Sequence, residues 1–345
     1  MSLAPLTTKP TPSSSSHAPF EDGDCKICHQ NSDPKQPGPV VKKGPTLCLS
    51  CHEEFDGILK RKHTHEPART DCTSCHNPHN AAYPKLLLQE PRVLCTGCHE
   101  KIGKILSSAK VQHKATSTGA QCANCHNPHG SAVAKLLVQL PLDLCLSCHN
   151  VDTMTDANGK KLQNIKAWLD KNPQWHGPVR SKNCSGCHEA HGGDHFRLLE
   201  DEYPKEFYAP YDPKSYALCF SCHNDDAFAT PKTTSLTKFR DGDKNLHFIH
   251  LQQPGRGRTC RACHEVHASS QKNNVRAGVP YGSSGWILKL NYKETATGGS
   301  CEKTCHVERG YEHTKPRSSV APNMEAPEAG SLSARLRSIR NVPAS

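Results

Sequence analysis

The sequence is poor in the residues that build an ordinary hydrophobic core. Hydrophobic residues make up 34% of the 345 residues, and aromatic residues make up 6%. Methionine is also scarce, since only Met154 and Met324 follow the first residue. The shortage of apolar side chains excludes a large side-chain core, and the lack of an apolar run of about twenty residues excludes a transmembrane helix. Something other than leucine, isoleucine and phenylalanine must therefore fill the interior.

Cysteine and histidine are abundant instead, with 20 and 23 copies. Every cysteine belongs to a pair that is followed at once by histidine, and the tenth of these motifs, Cys301/Cys305/His306, has the spacing C-x-x-x-C-H. The other nine have the spacing C-x-x-C-H, and they are Cys25/Cys28/His29, Cys48/Cys51/His52, Cys72/Cys75/His76, Cys95/Cys98/His99, Cys122/Cys125/His126, Cys145/Cys148/His149, Cys184/Cys187/His188, Cys219/Cys222/His223 and Cys260/Cys263/His264.

This spacing suits covalent haem attachment. The two sulfurs add to the vinyl groups on one edge of a porphyrin, and the adjoining histidine ligates the iron. A zinc ribbon also uses paired cysteines but needs no histidine after them, and a disulfide framework has no preference for the following residue. The sequence therefore predicts ten covalently attached haems c. An unmodified dithiol is the alternative at Cys301 and Cys305, because C-x-x-x-C-H is the rarer motif.

Histidine is also predicted as the second axial ligand of each iron, because methionine is nearly absent. One set of histidines lies 8 to 10 residues before the first cysteine of alternate motifs, and another lies three residues after a motif histidine. All ten irons would then be low-spin with two histidine ligands. The predicted distal ligands are His17, His63, His65, His79, His113, His129, His176, His191, His250 and His267, with His195, His247 and His313 as spare candidates.

The motifs occur in a tandem repeat of two-haem modules. The first cysteines of the two motifs are 23 residues apart in modules one to three, 35 in module four and 41 in module five. The predicted organisation is a flexible linker at 1–20, modules at 21–60, 61–108, 109–160, 161–240 and 241–315, and a flexible basic tail at 316–345. Residues 161–170 are expected to form an amphipathic helix that serves core packing.

The linkers repeat as well as the motifs. Cys72-Thr-Ser-Cys-His-Asn-Pro-His79 closely matches Cys122-Ala-Asn-Cys-His-Asn-Pro-His129, and each stretch continues through Lys-Leu-Leu to the second motif. Over roughly residues 60 to 310 this repeat resembles the doubled C-x-x-C-H family of bacterial cytochromes, with module one as a worn copy. The stretch from Gly298 to His306 resembles the last haem module of large cytochromes from metal-reducing bacteria. The haem number and the chain length are similar to those of the decahaem subunit of porin–cytochrome conduits.

The resemblance implies a multihaem cytochrome c fold. We expect a mostly irregular chain with short α-helices that carry the motifs and a core packed with haem. A filled sixth position on every iron would leave no place for a substrate, so we expect an electron carrier and not an enzyme. The alternatives are a multihaem oxidoreductase acting on nitrite, hydroxylamine or tetrathionate, and a filament-forming subunit. No C-x-x-C-K variant occurs.

The formal charge of +10 would suit nucleic acid or a membrane surface. However, each haem brings two propionates, so ten haems would bring the protein to a charge between roughly 0 and −10. We therefore expect no nucleic-acid partner, and a basic tail that is solvated rather than a docking segment. The expected partners are redox proteins of the periplasm or outer membrane, a porin, or further copies of the chain.

Haem attachment to this motif takes place outside the cytoplasm. The expected location is therefore the periplasm or the cell surface, with a role in periplasmic, outer-membrane or extracellular electron transfer. No signal peptide begins the sequence, so we expect either that the numbering starts after a removed leader or that the start of the sequence is misplaced.

Module one lacks one of the regular histidines. Ser32 stands where modules two to five have a histidine three residues after the first motif histidine, whereas module two has both His63 and His65. Side chains two residues apart on an extended chain point to opposite faces. We therefore expect one of this pair to ligate a module-one haem and the other a module-two haem. The alternative is that one is an exposed loop histidine and that His313 or water completes module one.

Overall fold

Most of the chain is irregular backbone punctuated by short helices and strands. The computed structural model describes residues 15–156, 158–255, 257–281, 285–301 and 306–315. Within these ranges the chain divides into two units, the first formed by residues between 15 and 225 and between 251 and 279, and the second by residues between 226 and 250 and between 280 and 315. In the described ranges, no helix is both long enough and apolar enough to cross a membrane.

The α-helices are short, and several begin at a proline, whose fixed φ and missing N–H suit the first helical turn. The second motif of modules one to three begins on such a helix. The α-helices are α1 Ala18–Glu21, α2 Pro45–Leu49, α3 Glu54–Leu59, α4 Glu66–Thr70, α5 Pro91–Thr96, α6 Glu100–Ser108, α7 Pro141–Leu146, α8 Ile165–Lys171, α9 Gly177–Arg180, α10 Ala217–Phe220, α11 Asp226–Ala229, α12 Leu246–Leu251 and α13 Cys260–Cys263.

Single turns of 3-10 helix carry the first motif of modules one to four. The remaining 3-10 turns lie mainly in the spacers between motifs. These turns are Cys25–Ile27, Cys72–Ser74, Pro84–Leu86, Lys114–Thr116, Gln121–Asn124, Ala134–Leu136, Cys184–Gly186, Phe196–Leu198, Pro213–Tyr216 and Lys272–Asn274. Nine motifs thus begin on a helical turn, as expected from the sequence. The tenth does not, because Cys301 ends a strand.

The strands are short and antiparallel where they pair. In the first unit, four two-residue ladders connect distant segments: β1 with β3, β2 with β5, β4 with β7 and β6 with β10. The strands are β1 Ser15–Ser16, β2 His63–Thr64, β3 Asn80–Ala81, β4 Val111–Gln112, β5 Gly130–Ser131, β6 Gln174–Trp175, β7 Gly192–Gly193, β8 Arg240–Asp241, β9 Lys244–Asn245, β10 Ala268–Ser269, β11 Gly278–Tyr281, β12 Trp286–Lys289, β13 Tyr292–Glu294, β14 Gly298–Cys301 and β15 Arg309–Glu312.

The side-chain core of the first unit is small. Leu142, Leu169 and Ala268 are buried together, and Ile165 and Trp168 pack against them. The amphipathic stripe expected at residues 161–170 therefore serves core packing. Its helix is α8, which begins at Ile165 rather than at residue 161, because the Asn164 side chain caps it by accepting a hydrogen bond from the Ala167 amide at 3.0 Å.

The second unit contains a three-stranded sheet in the order β13-β14-β15. Tyr292 pairs with Cys301, and Gly299 pairs with Tyr311. The close approach of backbone at this sheet explains the glycines, since a Cβ on Gly299 would lie 2.8 Å from Lys293 O. The tenth motif is therefore supported by a sheet.

The N-terminal boundary of the first module needs a correction. Residues 15–20 were expected to belong to a flexible linker, but Ser15–Ser16 form β1 and α1 begins at Ala18. The linker residues before Ser15 and the tail from residue 316 lie outside the described residues.

Candidate haem sites

Among the described residues, nine pairs of histidine rings face each other. In eight of them the ring centroids are 6.0–6.3 Å apart, and the planes lie 10–21° from parallel. The ninth pair, His250–His306, has centroids 6.5 Å apart and planes tilted by 44°. The eight parallel pairs are His17–His52, His29–His79, His65–His99, His76–His129, His113–His149, His126–His191, His176–His223 and His188–His267.

The gap between the facing rings fits one iron atom. A metal–imidazole bond is about 2.0 Å long and a ring centroid lies about 1.1 Å behind the nitrogen, so two imidazoles on one iron have centroids about 6.2 Å apart. Rings in direct contact would need no such regular spacing. Each parallel pair also contains one motif histidine, whose neighbouring cysteines supply the two attachment sulfurs. These residues therefore fit a covalently attached haem with two histidine ligands.

We number the sites one to ten by the order of their motifs along the chain. At the odd-numbered sites, the motif histidine donates its Nδ1 hydrogen to the carbonyl oxygen nine residues later. This contact leaves Nε2 to face the gap, and it fixes the ring orientation and the tautomer. The five contacts are His29 to Gly38 at 2.9 Å, His76 to Lys85 at 2.8 Å, His126 to Lys135 at 2.8 Å, His188 to Arg197 at 3.1 Å and His264 to Asn273 at 3.0 Å.

A left-handed turn orients each of these carbonyl groups toward the motif histidine. Lys85 and Leu86 have φ values of 61° and 58°, and the equivalent residues of modules three to five adopt the same conformation. Left-handed backbone costs a non-glycine residue roughly 1 kcal/mol or more. Module one has Gly38 at this position, with a φ of 72°. The Lys-Leu-Leu spacer in the sequence therefore holds the motif histidine, a role that the repeat alone did not reveal.

The two-residue ladders carry the distal histidines. His17 follows β1 and His79 precedes β3, and the His17 amide donates to the His79 carbonyl at 2.9 Å. The His17 ring also donates from Nδ1 to Pro78 O at 2.9 Å. The same contact recurs between later modules, as His65 to Pro128 O at 3.0 Å and His113 to Ala190 O at 2.8 Å.

Each ladder therefore completes two sites of one module with histidines from two modules. The histidine that follows the first strand of a ladder faces the second motif histidine of its own module, as His17 faces His52. The histidine three residues after a motif histidine faces the first motif histidine of the preceding module, as His79 faces His29. Adjacent modules are thus interlocked through these facing histidines.

This arrangement corrects the expectation for His63 and His65. His65 faces His99 within module two, and both motif histidines of module one face other residues, His17 and His79. His63 belongs to none of the nine facing pairs, and in β2 it pairs through its backbone with Ser131. The extended backbone does separate the two side chains, but the ladder register assigns only His65 to an iron gap.

The three spare histidines make other contacts. His195 lies 3.4 Å from the Glu202 carboxylate. The His247 ring lies between Phe228 and Phe239, and its Nδ1 is 3.1 Å from the Thr237 hydroxyl. The His313 ring donates from Nε2 to Lys238 O at 2.7 Å.

No disulfide joins any two of the nineteen described cysteines, and Cys305 lies outside the described residues. The first thiol of an even-numbered site lies beside the first thiol of the next module. Burial, followed by the neighbouring Cys72 thiol, raises the pKa of Cys48 to about 11. The neighbouring thiol and burial likewise raise the pKa of Cys95 beside Cys122, of Cys145 beside Cys184 and of Cys260 beside Cys219.

The second cysteines of four even-numbered motifs are exposed. The reason is local, because each lies two residues beyond the end of a short helix, namely α2, α5, α7 or α10. The four exposed cysteines are Cys51, Cys98, Cys148 and Cys222.

The second cysteine of site three, Cys75, is half-buried instead, and its sulfur lies 3.8 Å from the Ser74 hydroxyl. The preceding serine makes the same contact, also at 3.8 Å, with Cys148 and Cys222. Within the described ranges, no group of three or more metal-ligating side chains surrounds these or any other thiols. Haem attachment through Cys51, Cys75, Cys98, Cys148 and Cys222 is a prediction from their motifs.

Burial also affects the distal histidines of sites three, five and seven. It lowers the pKa of His129 and His191, and it is the main cause that lowers the pKa of His267 to about 4. The facing histidine contributes next, and the basic residue of the left-handed turn adds to the effect. Low values keep these rings neutral, which is the form that binds iron.

A family model described as the doubled CXXCH motif matches residues 17–57, 65–104, 113–154 and 176–228, about half of the chain. The matched segments begin at the histidines that directly follow the first strand of each ladder, namely His17, His65, His113 and His176. No characterised relative matches the chain. The four segments contain eight attachment motifs, so several haems c are bound covalently. The chain belongs to the doubled CXXCH family and is a multihaem c-type cytochrome.

Proposed function

We propose that the chain binds ten haems and carries electrons along them, without substrate chemistry at iron. The observation that carries this proposal is the set of facing histidine pairs, because two imidazoles occupy both axial positions of an iron. When bound, haem supplies one-electron oxidation and reduction. At the nine sites with facing pairs, the residues of the chain hold the imidazoles and leave no iron position for a substrate.

The order of the sites supports transfer along the chain. Distal ligands of both sites in a module lie on one ladder, as His17 and His79 do for module one. Thiols of successive modules lie side by side, as Cys95 and Cys122 do. Tandem repeats contact their neighbours, so we infer one continuous series of haems in sequence order.

The tenth site is supported by the pair His250–His306. We propose that Cys301 and Cys305 attach a haem there, the extra residue bulging without displacing either sulfur far. We further propose a location in the periplasm or at the cell surface. The partners would be other redox proteins, with a porin or further copies of the chain as alternatives that the same haem series would serve.

Intact mass spectrometry of the purified holoprotein tests the haem count. Ten groups of about 616 Da each should add about 6 kDa to the polypeptide. Carbon monoxide, added to the reduced protein, should leave its spectrum unchanged. A mass short by one haem would remove the tenth site, and a stoichiometric spectral shift would reveal an open iron and favour a multihaem oxidoreductase.

A further inference from the structure

A phenylalanine ring lies between the axial histidines of sites in two different modules. The Phe55 ring centroid is 4.7 Å from that of His129 and 6.3 Å from that of His52, with interplanar angles of 73° and 72°. His52 is the motif histidine of site two in module one, and His129 is the distal histidine that faces His76 at site three in module two. The centroids of the two imidazoles are therefore no farther apart than the sum of these two distances.

The first turn of α3 brings the phenylalanine ring to this position. Phe55 lies three residues after His52, and its amide donates to the His52 carbonyl at 3.2 Å. The last turn of the helix lies against β5, because a Cβ on Gly130 would be only 2.5 Å from Ile58 O. Gly130 directly follows His129. The helix α3 therefore contacts both the motif of site two and the strand beside the distal ligand of site three.

Ring contacts of this kind restrict the rotation of an imidazole about its bond to iron. Both contacts are T-shaped, an arrangement that aromatic rings favour at centroid separations of about 4.5–7 Å. If either imidazole turned about that bond, its edge would move into the phenyl ring, which close packing opposes. Phe55 is half-buried, so its ring also excludes water from the space between the two imidazoles.

This contact between modules differs from the links inside a module. A ladder joins the two distal histidines of one module through the backbone, as the His17 amide donates to His79 O at 2.9 Å. The distal histidines of sites two and three belong to different ladders, and the Phe55 ring lies between ligands of these two sites. The residues at the same distance from the second motif histidine in modules two to four are Ile102, Asp152 and Asp226. The aromatic residue at this position is therefore particular to the first junction.

We propose that Phe55 is a positioning residue for electron transfer between modules one and two. Its ring holds the imidazole planes of His52 and His129 together, and it keeps the space between sites two and three filled by atoms of the chain. One electron passes from the reduced iron of one site to the oxidised iron of the other, and Phe55 keeps its oxidation state. This inference rests on the proposed loading of both sites with haem.

Proton NMR of the ferric holoprotein tests the positioning, because the shifts of haem methyl groups depend on the orientation of the axial imidazole planes. Resonances lost in His17→Met belong to site two, and those lost in His129→Met belong to site three. Phe55→Ala should shift the resonances of both sites, whereas Phe55→Tyr, which keeps the ring, should leave them near their wild-type positions. In partly reduced protein, Phe55→Ala should also slow electron exchange between the two sites about tenfold, because tunnelling weakens when atoms are removed from the gap.

The matched control is Phe20→Ala. Phe20 also lies three residues after an axial histidine, His17, and its ring centroid is 5.0 Å from that of His79, the distal histidine of site one. Its removal should shift the resonances of site one and leave electron exchange between sites two and three unchanged. The inference is overturned if fully loaded Phe55→Ala keeps the wild-type shifts, alters only one of the two sites or keeps the wild-type exchange rate. Wild-type peptides of site two or three that carry no haem would instead refute the loading itself.

Discussion

The parallel histidine pairs of the first unit differ from the tilted pair of the second. Four ladders hold the eight parallel pairs, and the ring planes deviate from parallel by 10–21°. His250 and His306 are tilted by 44° at nearly the same separation. Two different structural supports therefore produce a similar gap between the rings. Only the ladders also hold the two ring planes nearly parallel.

The supports explain the difference. A ladder histidine such as His17 is held by the backbone of another module, through the carbonyl of Pro78. His250 instead donates to Leu246 O at 2.6 Å within its own helix, and His306 donates to Val307 O at 2.7 Å. Contacts with the local backbone orient each ring separately, whereas the ladder orients two distal rings together.

The largest effect should follow from removing one ladder ligand. In His129→Ala, site three in module two should lose its distal ligand, although the residue belongs to module three. One equivalent of haem should then bind carbon monoxide after reduction, and one low-spin signal should disappear.

The matched control is His63→Ala, which removes a histidine from the same ladder that faces no motif histidine in the described structure. It should leave every haem unperturbed. If His63→Ala opened a site, or if His129→Ala opened a site whose cysteines lie in module three, the cross-module scheme would be wrong.

A smaller effect should follow from crowding each support. A Cβ on Gly130 would lie 2.5 Å from Ile58 O, so Gly130→Val should strain the β2–β5 ladder at a cost of about 1–3 kcal/mol. Because that ladder carries His65 and His129, the spectra of sites three and four should both change. Gly299→Val in the β13-β14-β15 sheet should change the spectrum of site ten alone.

Gly177→Ala serves as the control, since nothing lies within 4 Å of a Cβ there. Resonance Raman spectra and thermal unfolding followed at the haem absorption would measure the changes. Equal perturbation of all sites by Gly130→Val would mean that the ladders do not act locally.

The smallest expected effect is spectroscopic. Because the angle between axial imidazole planes affects the electronic structure of low-spin ferric haem, site ten should give an electron paramagnetic resonance signal distinct from that of sites one to eight. Cys301→Ser with Cys305→Ser should remove that signal and one haem from the mass. If the double substitution instead reduced the signal shared by sites one to eight, site ten would have parallel ring planes like theirs.

The sequence predicted the attachment motifs and most of the distal histidines, because their chemistry depends on short, fixed spacings. It did not predict which histidine faces which motif, because the ladders join segments in different modules. The missing histidine at Ser32 illustrates this point. A histidine in that position serves the preceding module, and module one is the first of the five, so no site within the repeat requires it.

The carbonyl groups that accept hydrogen bonds from the motif histidines were also not predicted from the sequence. The offset of nine residues from the motif histidine to Lys85 or Lys135 is visible in the sequence, but the left-handed φ values that give it meaning are not. The strand position of Cys301 was not predicted for a related reason, because its pairing with Tyr292 is a contact that its own motif does not encode.

The interlocked ladders have a consequence for how the molecule matures. When the chain emerges with its N-terminus first, the cysteines and His29 of site one appear well before His79 does. Each odd-numbered site of modules one to four would thus pass through a stage with an incomplete coordination sphere until the following module arrives. Maturation would then proceed from the first module to the last. At each step the odd-numbered site of the newest module would lack its distal histidine, and formation of the next ladder would complete that site.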